Sequence, residues 1–408
     1  MSLNEGDPSA RTAPVRTALV IGGGLAGPVA AMALRQAGIE AAVYEAYDST
    51  ADGAGGGMTI APNGQNALDA IGAGDLVRAI GTPVTAMGLR SWTGKHLARF
   101  APPSRFPCQQ FVWRADLYRA LYDEAARRSV PVHHGKRLTG VTDTASGVTA
   151  HFADGTRADA DVLIGADGIR STVRSLIDPA APRPNHAGLV CFGARLDDCA
   201  LPSTQGVMYL CFGKRAFFGY QVFDDSSAVW FANLPHRLPM TVAEARAIGA
   251  GEWTRTLRAA FADDRIPALE MIGATAADQL LITGPMENMP SVPTWTRGRM
   301  TLIGDAAHAA SSSSGQGASI AFESAVELAR CLRDLPYDEA FTAYERLRRP
   351  RVERIIQLGA RTNSNKSAGP VGRVLRDLML PLVMKMADPS QKSAWQYEYG
   401  IEWGERVG

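Results

Sequence analysis

The strongest constraint on this chain is local. An apolar run, Ala18-Leu19-Val20-Ile21, leads at once into Gly22-Gly23-Gly24-Leu25-Ala26-Gly27 and then into an alanine-rich stretch ending near Gln36. A short apolar run bounded by glycine reads as a buried strand, and the alanines read as a helix. Gly38 supplies the helix stop and Ala41 to Tyr44 a second strand, so residues 18 to 45 form one predicted β-α-β unit. Within it the spacing Gly22-x-Gly24-x-x-Gly27 has a physical role at each position. Gly22 permits the tight turn, Gly24 lets backbone approach a pyrophosphate at the helix N-terminus, and Gly27 allows the helix to pack closely. Leu25 and Ala26 complete that phosphate-facing turn. Glu45, ending the second strand, is positioned to accept a hydrogen bond from an adenosine ribose hydroxyl. The unit predicts a bound dinucleotide and does not by itself separate NAD from FAD.

Two segments far downstream read as further contacts to one extended dinucleotide. In the first, the apolar run Val162 to Ile164 enters a sharp turn at Gly165-Ala166-Asp167-Gly168 and a helix start carrying Arg170 and Arg174. Taken alone, Asp167 could equally be an N-cap. In the second, Met300 to Ile303 delivers Gly304-Asp305-Ala306-Ala307-His308, followed by Gly315-Gln316-Gly317-Ala318 at the start of a long helix.

These three segments, in this order and spacing, resemble the single-component FAD-dependent aromatic hydroxylases and monooxygenases of the para-hydroxybenzoate hydroxylase type, over roughly residues 16 to 350. The resemblance implies an α/β fold: a Rossmann-like FAD-binding domain of the GR2 type, an inserted and mostly antiparallel β-sheet substrate domain, and a C-terminal helical tail. The implied division is a disordered arm at 1–14 and FAD-binding segments at 15–80, 107–180 and 292–362. Substrate-domain segments would occupy 81–106 and 181–291, with the helix and tail at 363–408. It further implies that Asp305 bonds the FAD ribityl chain and that the Asp167 turn serves both FAD and NADPH or NADH. Gly315, Gly317 and Ala318 would set a helix N-terminus beside the flavin pyrimidine ring, and Arg114 would reach toward the FAD phosphates. A helix dipole there would stabilise negative charge on reduced flavin. The implied reaction is NAD(P)H-consuming: O2 forms a C4a-hydroperoxyflavin, and one oxygen atom passes to an organic substrate. Baeyer-Villiger insertion or epoxidation would use the same intermediate, and a flavin-binding protein without turnover is the alternative of another class.

Departures from the family pattern are specific. Ser311 to Ser314 stand where many members carry proline, Ser319 stands where asparagine is common, and no Arg or Lys lies between Glu45 and Arg78. The loop at 49–57, rich in glycine, must then use backbone groups.

Composition narrows the partners. The 42 basic and 41 acidic residues leave a net charge of +1, which provides no field to attract nucleic acid or an anionic membrane, so the expected partner is a small organic molecule. Five cysteines without CxxC spacing suggest reduced, buried thiols, and the seven histidines lack metal-ligand spacing. No leader or membrane-length apolar run is evident, so a cytoplasmic monomer or homodimer without metal is expected. His308 directly after the Asp305 motif invites assignment as a base, but a single histidine at a helix start is more often structural, and no catalytic side chain is assigned. Aromatic-rich strands from Val190 to Leu234 predict an antiparallel sheet facing the flavin. Tyr209, Phe218, Tyr220 and Phe231 are candidates for the substrate lining, with Ser312 on the flavin side, although alternation sends about half of such residues to the opposite face. Helices are expected over 63–79, 242–262 and 371–386, the last packing over the other domains.

Overall fold

The computed structural model describes residues 14–49, 56–101, 107–366, 370–386 and 394–408; the expected N-terminal arm, apart from Pro14, and most of the 49–57 loop lie outside them. The predicted β-α-β unit is β1 (Thr17–Ile21), α1 (Ala26–Gln36) and β2 (Glu40–Tyr44), with Gly38 taking the left-handed conformation that ends α1. Strands β1 and β2 pair in parallel. On the other side of β1 lies β12 (Val162–Gly165), also parallel, and beyond it β19 (Met300–Leu302). The short β8 (Val132–His133) and β18 (Thr296–Arg297) complete a six-stranded sheet of order β18-β19-β12-β1-β2-β8. Its central strands are apolar because both faces are covered, and every residue of β12 is buried.

Helix α1 packs against β1 and β2, and α10 (Gly317–Asp334), the long helix that follows the third motif, packs against α1. The expected helix over 63–79 is instead two, α2 (Pro62–Ala70) and α3 (Gly74–Ile80), and that over 242–262 is also two, α6 (Val242–Ala247) and α7 (Ala250–Phe261). Both breaks have one cause: Gly72 and Gly249 adopt φ of +65° and +87°, outside the right-handed helical region. Helix α4 (Arg114–Arg127) follows β7 (Gln109–Trp113), which pairs with β3 (Gly57–Ile60) and β4 (Thr82–Val84) in a small antiparallel sheet. A separate three-stranded sheet is built from β9 (Leu138–Asp143), β10 (Val148–Phe152) and β11 (Arg157–Ala160) and leads into β12, which α5 (Thr172–Ile177) follows.

The aromatic strands form a seven-stranded sheet of order β17-β13-β16-β15-β14-β5-β6. Its members are β5 (Ala86–Ser91), β6 (His96–Phe100), β13 (Asn185–Leu196), β14 (Val207–Phe212), β15 (Phe217–Val222), β16 (Ala228–Pro235) and β17 (Leu281–Asn288). All pairings are antiparallel except β14 with β5. One face is sealed by α6, α7 and α8 (Ala268–Ala274), where Phe192 meets Trp253 at 4.8 Å and Phe218 meets Phe261 at 5.4 Å between ring centroids. The opposite face packs Met208 and Val229 against Phe111 and Val84 of the small sheet.

Helix α11 (Tyr337–Lys366) locks onto α10 through a buried ionic cluster. Glu323 and Arg348 are fully buried and paired at 2.5 Å, Arg351 reaches the same carboxylate at 2.9 Å, and Asn63 of α2 donates to it. Burial alone would raise the Glu323 pKa; Arg348 and Arg351 outweigh it and hold the carboxyl below its usual range. The C-terminal segment closes over this cluster, with the Tyr399 ring 4.4 Å from the Arg351 guanidinium and its hydroxyl donating to Glu327 at 2.6 Å. Helix α12 (Pro370–Met386) does dock, with Arg376 lying 4.3 Å over Phe212 and Arg373 bonding the Lys214 carbonyl. Its apolar stripe of Val374, Leu375, Leu378 and Met379 faces outward, and the helix is held by its arginines and Leu380. Removing one partner of a buried pair strands the other charge, so Arg348→Met should lower the unfolding free energy by about 3 kcal/mol, even with Arg351 retained. Urea unfolding of the FAD-loaded protein checks this, and an unchanged midpoint would contradict it.

Candidate active site

Parallel pairing of β1, β12 and β19 brings three distant turns side by side. Ala166 N–H donates to Ile21 O at 2.8 Å and Ile303 N–H to Gly165 O at 2.9 Å, so the carboxyl ends of the strands are in line. A Cβ on Gly22 would lie 2.5 Å from Ala166 O and 2.8 Å from Asp167 Cα, and one on Gly27 would lie 2.0 Å from Gly22 O. Neither position tolerates a side chain. By contrast the space beside Gly24 is open apart from Tyr118 Oη at 3.6 Å, and Gly168 and Gly317 have nothing within 4 Å. Leu25, at the N-cap of α1, and Gln316, at the N-cap of α10, make no side-chain caps, so both helices present bare N–H groups. Ala26 and Ala318 lie in those first turns.

Glu45 accepts from Gly23 N–H at 2.5 Å and Tyr47 N–H at 2.9 Å, which fixes its carboxylate at the edge of the glycine turn. Two residues that sequence reasoning missed support this turn. Tyr122 donates to Gly23 O at 2.7 Å and Tyr118 lies over Gly24, both from α4. Their i, i+4 spacing four and eight residues after Arg114 was the available signal.

Asp167 spends its carboxylate on its own turn, accepting from Ser171 Oγ at 2.5 Å, Thr172 N at 2.7 Å and Val173 N at 3.0 Å. Burial raises its pKa against those bonds. Ser171 is the formal N-cap of α5. Arg174 then ties the second turn to the third, donating to Ile169 O at 2.6 Å and Ala306 O at 2.9 Å.

Asp305 opens α9 (Asp305–His308) and differs from Asp167 in kind: its carboxylate accepts no hydrogen bond among the described residues. It is accessible to solvent yet surrounded by enough protein to raise its pKa, with Arg114 opposing the rise. That combination marks the floor of a cleft. Arg114 is not paired to Asp116, which faces Arg119; its guanidinium donates to Tyr118 Oη at 3.3 Å. Gly315 has φ +62° and precedes α10 after a tight turn over Ser312–Ser314, in which Ser312 is exposed. Ser319 is buried and its hydroxyl accepts from Ala61 N–H at 3.1 Å.

The aromatic candidates divide by face. Phe218 and Tyr220 point beneath α7 and α8, and Tyr209 sits on that same side, stacked on Tyr220 at 5.3 Å and capped by Arg90 at 3.9 Å. These three are corrected as substrate-lining residues, because strict alternation on β14 and β15 directs them away from the nucleotide-binding side. Phe231 faces the cleft side, with Leu210, Phe223 and Trp113.

Donors, open glycine surfaces and a carboxylate unpaired among the described residues, at three adjacent strand ends, suit a flavin dinucleotide. Residues 16–358 match the family model described as an FAD binding domain. The chain belongs to that family. It is 31% identical over 402 residues to the FAD-dependent urate hydroxylase of Klebsiella pneumoniae, with 96% of each chain covered. It is 33% identical over 408 residues to 3-amino-4-hydroxybenzoate 2-monooxygenase PtmB3 of Streptomyces platensis, covering 93% of this chain and 95% of that one. The crystal structure of Klebsiella pneumoniae HpxO with FAD and uric acid is similar at 26% identity and a TM-score of 0.80, covering 93% of this chain and 97% of that one. The fold is that of the FAD-dependent aromatic hydroxylases, the cofactor is FAD, and the chain is a flavoprotein monooxygenase of this family. Among the described residues no helix is long and apolar enough to cross a membrane and no His, Cys, Asp or Glu cluster is arranged to hold a metal.

His308 lies behind the cleft floor. Nε2 meets Ser324 Oγ at 2.9 Å and the ring packs 5.5 Å from Trp295. Burial, reinforced by Arg348, lowers its pKa from 6.5 to about 3. Between these values the unfolded chain binds the extra proton, so the group's contribution is present above pH 6.5 and is lost as pH falls, by up to about 1.4 kcal/mol per pH unit. His308→Gln should therefore flatten the fall in stability between about pH 6.5 and about pH 5. Urea midpoints across that range provide the check, and parallel profiles for the two proteins would exclude it.

Proposed function

We propose that this flavoprotein is an NAD(P)H-consuming monooxygenase that hydroxylates a flat, largely apolar organic substrate, aromatic or polyketide-like, with one atom of O2. The observation that carries the reading is the convergence of the three turns on one cleft whose acid, Asp305, is left unpaired among the described residues. Bound FAD supplies the redox and oxygen chemistry. The chain holds and orients it: α1 offers its N-terminal N–H groups to the pyrophosphate at Gly22, Gly24, Leu25, Ala26 and Gly27, and Glu45 accepts from the adenosine ribose. Asp305 accepts from the ribityl hydroxyls, and Arg114 supplies positive charge to the phosphates. The backbone at Asp167 and Gly168 borders both the cofactor and the reduced pyridine nucleotide. Gly315, Gly317 and Ala318 present the N-terminus of α10 to the pyrimidine edge, where the positive end of its dipole favours negative charge.

On the substrate side, Phe231 contributes an apolar wall and Ser312 a polar one. With no general acid or base assigned on the substrate side, oxygen transfer would rely on placement. Urate hydroxylase and the aminohydroxybenzoate monooxygenase act on planar ring compounds by their names, which supports a planar substrate here.

Asp305→Ala should purify with less than about a tenth of the FAD, since a charge-assisted acceptor to the ribityl chain is lost. Flavin-to-protein absorbance reads this directly, and a fully yellow variant would contradict the role. Stopped-flow mixing of reduced protein with O2 tests the chemistry. A transient absorbing species before the oxidised flavin returns, with substrate-dependent oxygen incorporation, is expected; direct reoxidation to peroxide with every aromatic tried would overturn monooxygenation.

A further inference from the structure

Among the described residues, the cleft-facing side of the seven-stranded sheet contains one polar group that the fold does not use. Gln221 on β15 alternates with Tyr220 and Val222, which face the helices, and so shares the cleft side with Gly219. It pairs opposite Val229 on β16 and neighbours Met208 on β14, both apolar and buried. Gln221 is 1% exposed, and neither its Nε2 nor its Oε1 has a hydrogen-bond partner among the described residues. A glutamine retained for packing alone would be replaced without loss by methionine or leucine, whereas a bare amide in an apolar box is costly.

The surroundings define what would complete it. Leu210, Phe223 and Phe231, all partly accessible, border the same patch, and the Phe231 ring lies across Gly219, whose Cβ would come within 2.2 Å of its Cζ. Among the described residues on this side of β13 to β16 the one charged side chain is Arg195, which is paired with Asp197 at 3.0 Å and set over Trp113 at the margin. A carboxylate beside Gln221 would be left without a cation. A primary amide presents a donor and an acceptor side by side, and its complement is a ring with an adjacent acceptor and donor.

We propose that Gln221 is the specificity-determining anchor of the substrate pocket, and that the ring it holds is neutral and carries a lactam or ring-amide edge. This rests on reading the cleft as a monooxygenase site and adds the class of substrate.

The test uses the oxidised, FAD-loaded full chain, with 2-quinolone and N-methyl-2-quinolone as probes and flavin absorbance as the readout. The methylated probe keeps the carbonyl and loses the donor. Wild type should bind 2-quinolone at least about tenfold more tightly than its N-methyl derivative, and Gln221→Met should reduce that preference to within about twofold. The variant should also keep its FAD and unfold at a urea concentration no lower than wild type. The proposal is overturned if wild type binds the two probes alike or binds neither, or if Gln221→Met keeps the preference. It is equally overturned if both Gln221→Met and Gln221→Leu lose FAD or stability, which would make the amide structural. Because no pyridine nucleotide is added and no oxygen transferred, failure here leaves the stopped-flow result standing, and failure there leaves this binding result standing.

Discussion

The structure depends on the register of three parallel strands, β1, β12 and β19. Backbone hydrogen bonds between Ala166 and Ile21 and between Ile303 and Gly165 set their carboxyl ends level, so the turns that follow them are neighbours. The contacts there are between backbones: Gly22 against Ala166 and Gly27 against Gly22, at distances that a single methyl group would violate. A slip of one residue would reverse which side chains meet the helices and separate the turns. Ligands of open α/β sheets bind beyond the carboxyl ends of the strands for this reason, since the loops there converge while the strands themselves are buried.

Behind that line the molecule is held by charge. Glu323, Arg348, Arg351 and Asn63 connect α10, α11 and α2, and Tyr399 covers them. A buried ionic cluster is a poor source of net stability but a strict one of geometry, because few arrangements satisfy it. Its consequence is positional: α10, whose N-terminus opens beside Asp305, cannot rotate without stranding Glu323. Arg174 does the same at shorter range by tying Ile169 to Ala306.

The seven-stranded sheet separates two tasks by alternation. One face, with Phe192, Phe218 and Trp230, is an ordinary core beneath α7 and α8. The other, with Leu210, Phe223 and Phe231, meets the small sheet and the cleft. Aromatic content alone does not distinguish these faces, since both are rich in large side chains.

Local covalent and steric rules made the nucleotide unit legible in the sequence: the Gly22 to Glu45 segment, the Asp167 turn and the Asp305 to Ala318 segment each carry their conformational requirement in adjacent residues. Glycine breaks at 72 and 249 were equally local, though the continuous apolar patterning around them concealed the change in φ. What tertiary structure decided was long-range. It placed Tyr209, Phe218 and Tyr220 under helices, gave Asp167 to its own turn, brought Tyr118 and Tyr122 to the glycine loop, and left Asp305 and the Gln221 amide without a hydrogen-bond partner among the described residues. Each outcome depends on which strand or helix lies opposite, and hydrogen-bond satisfaction is a property of such pairs, which no single residue or its neighbours in sequence encode.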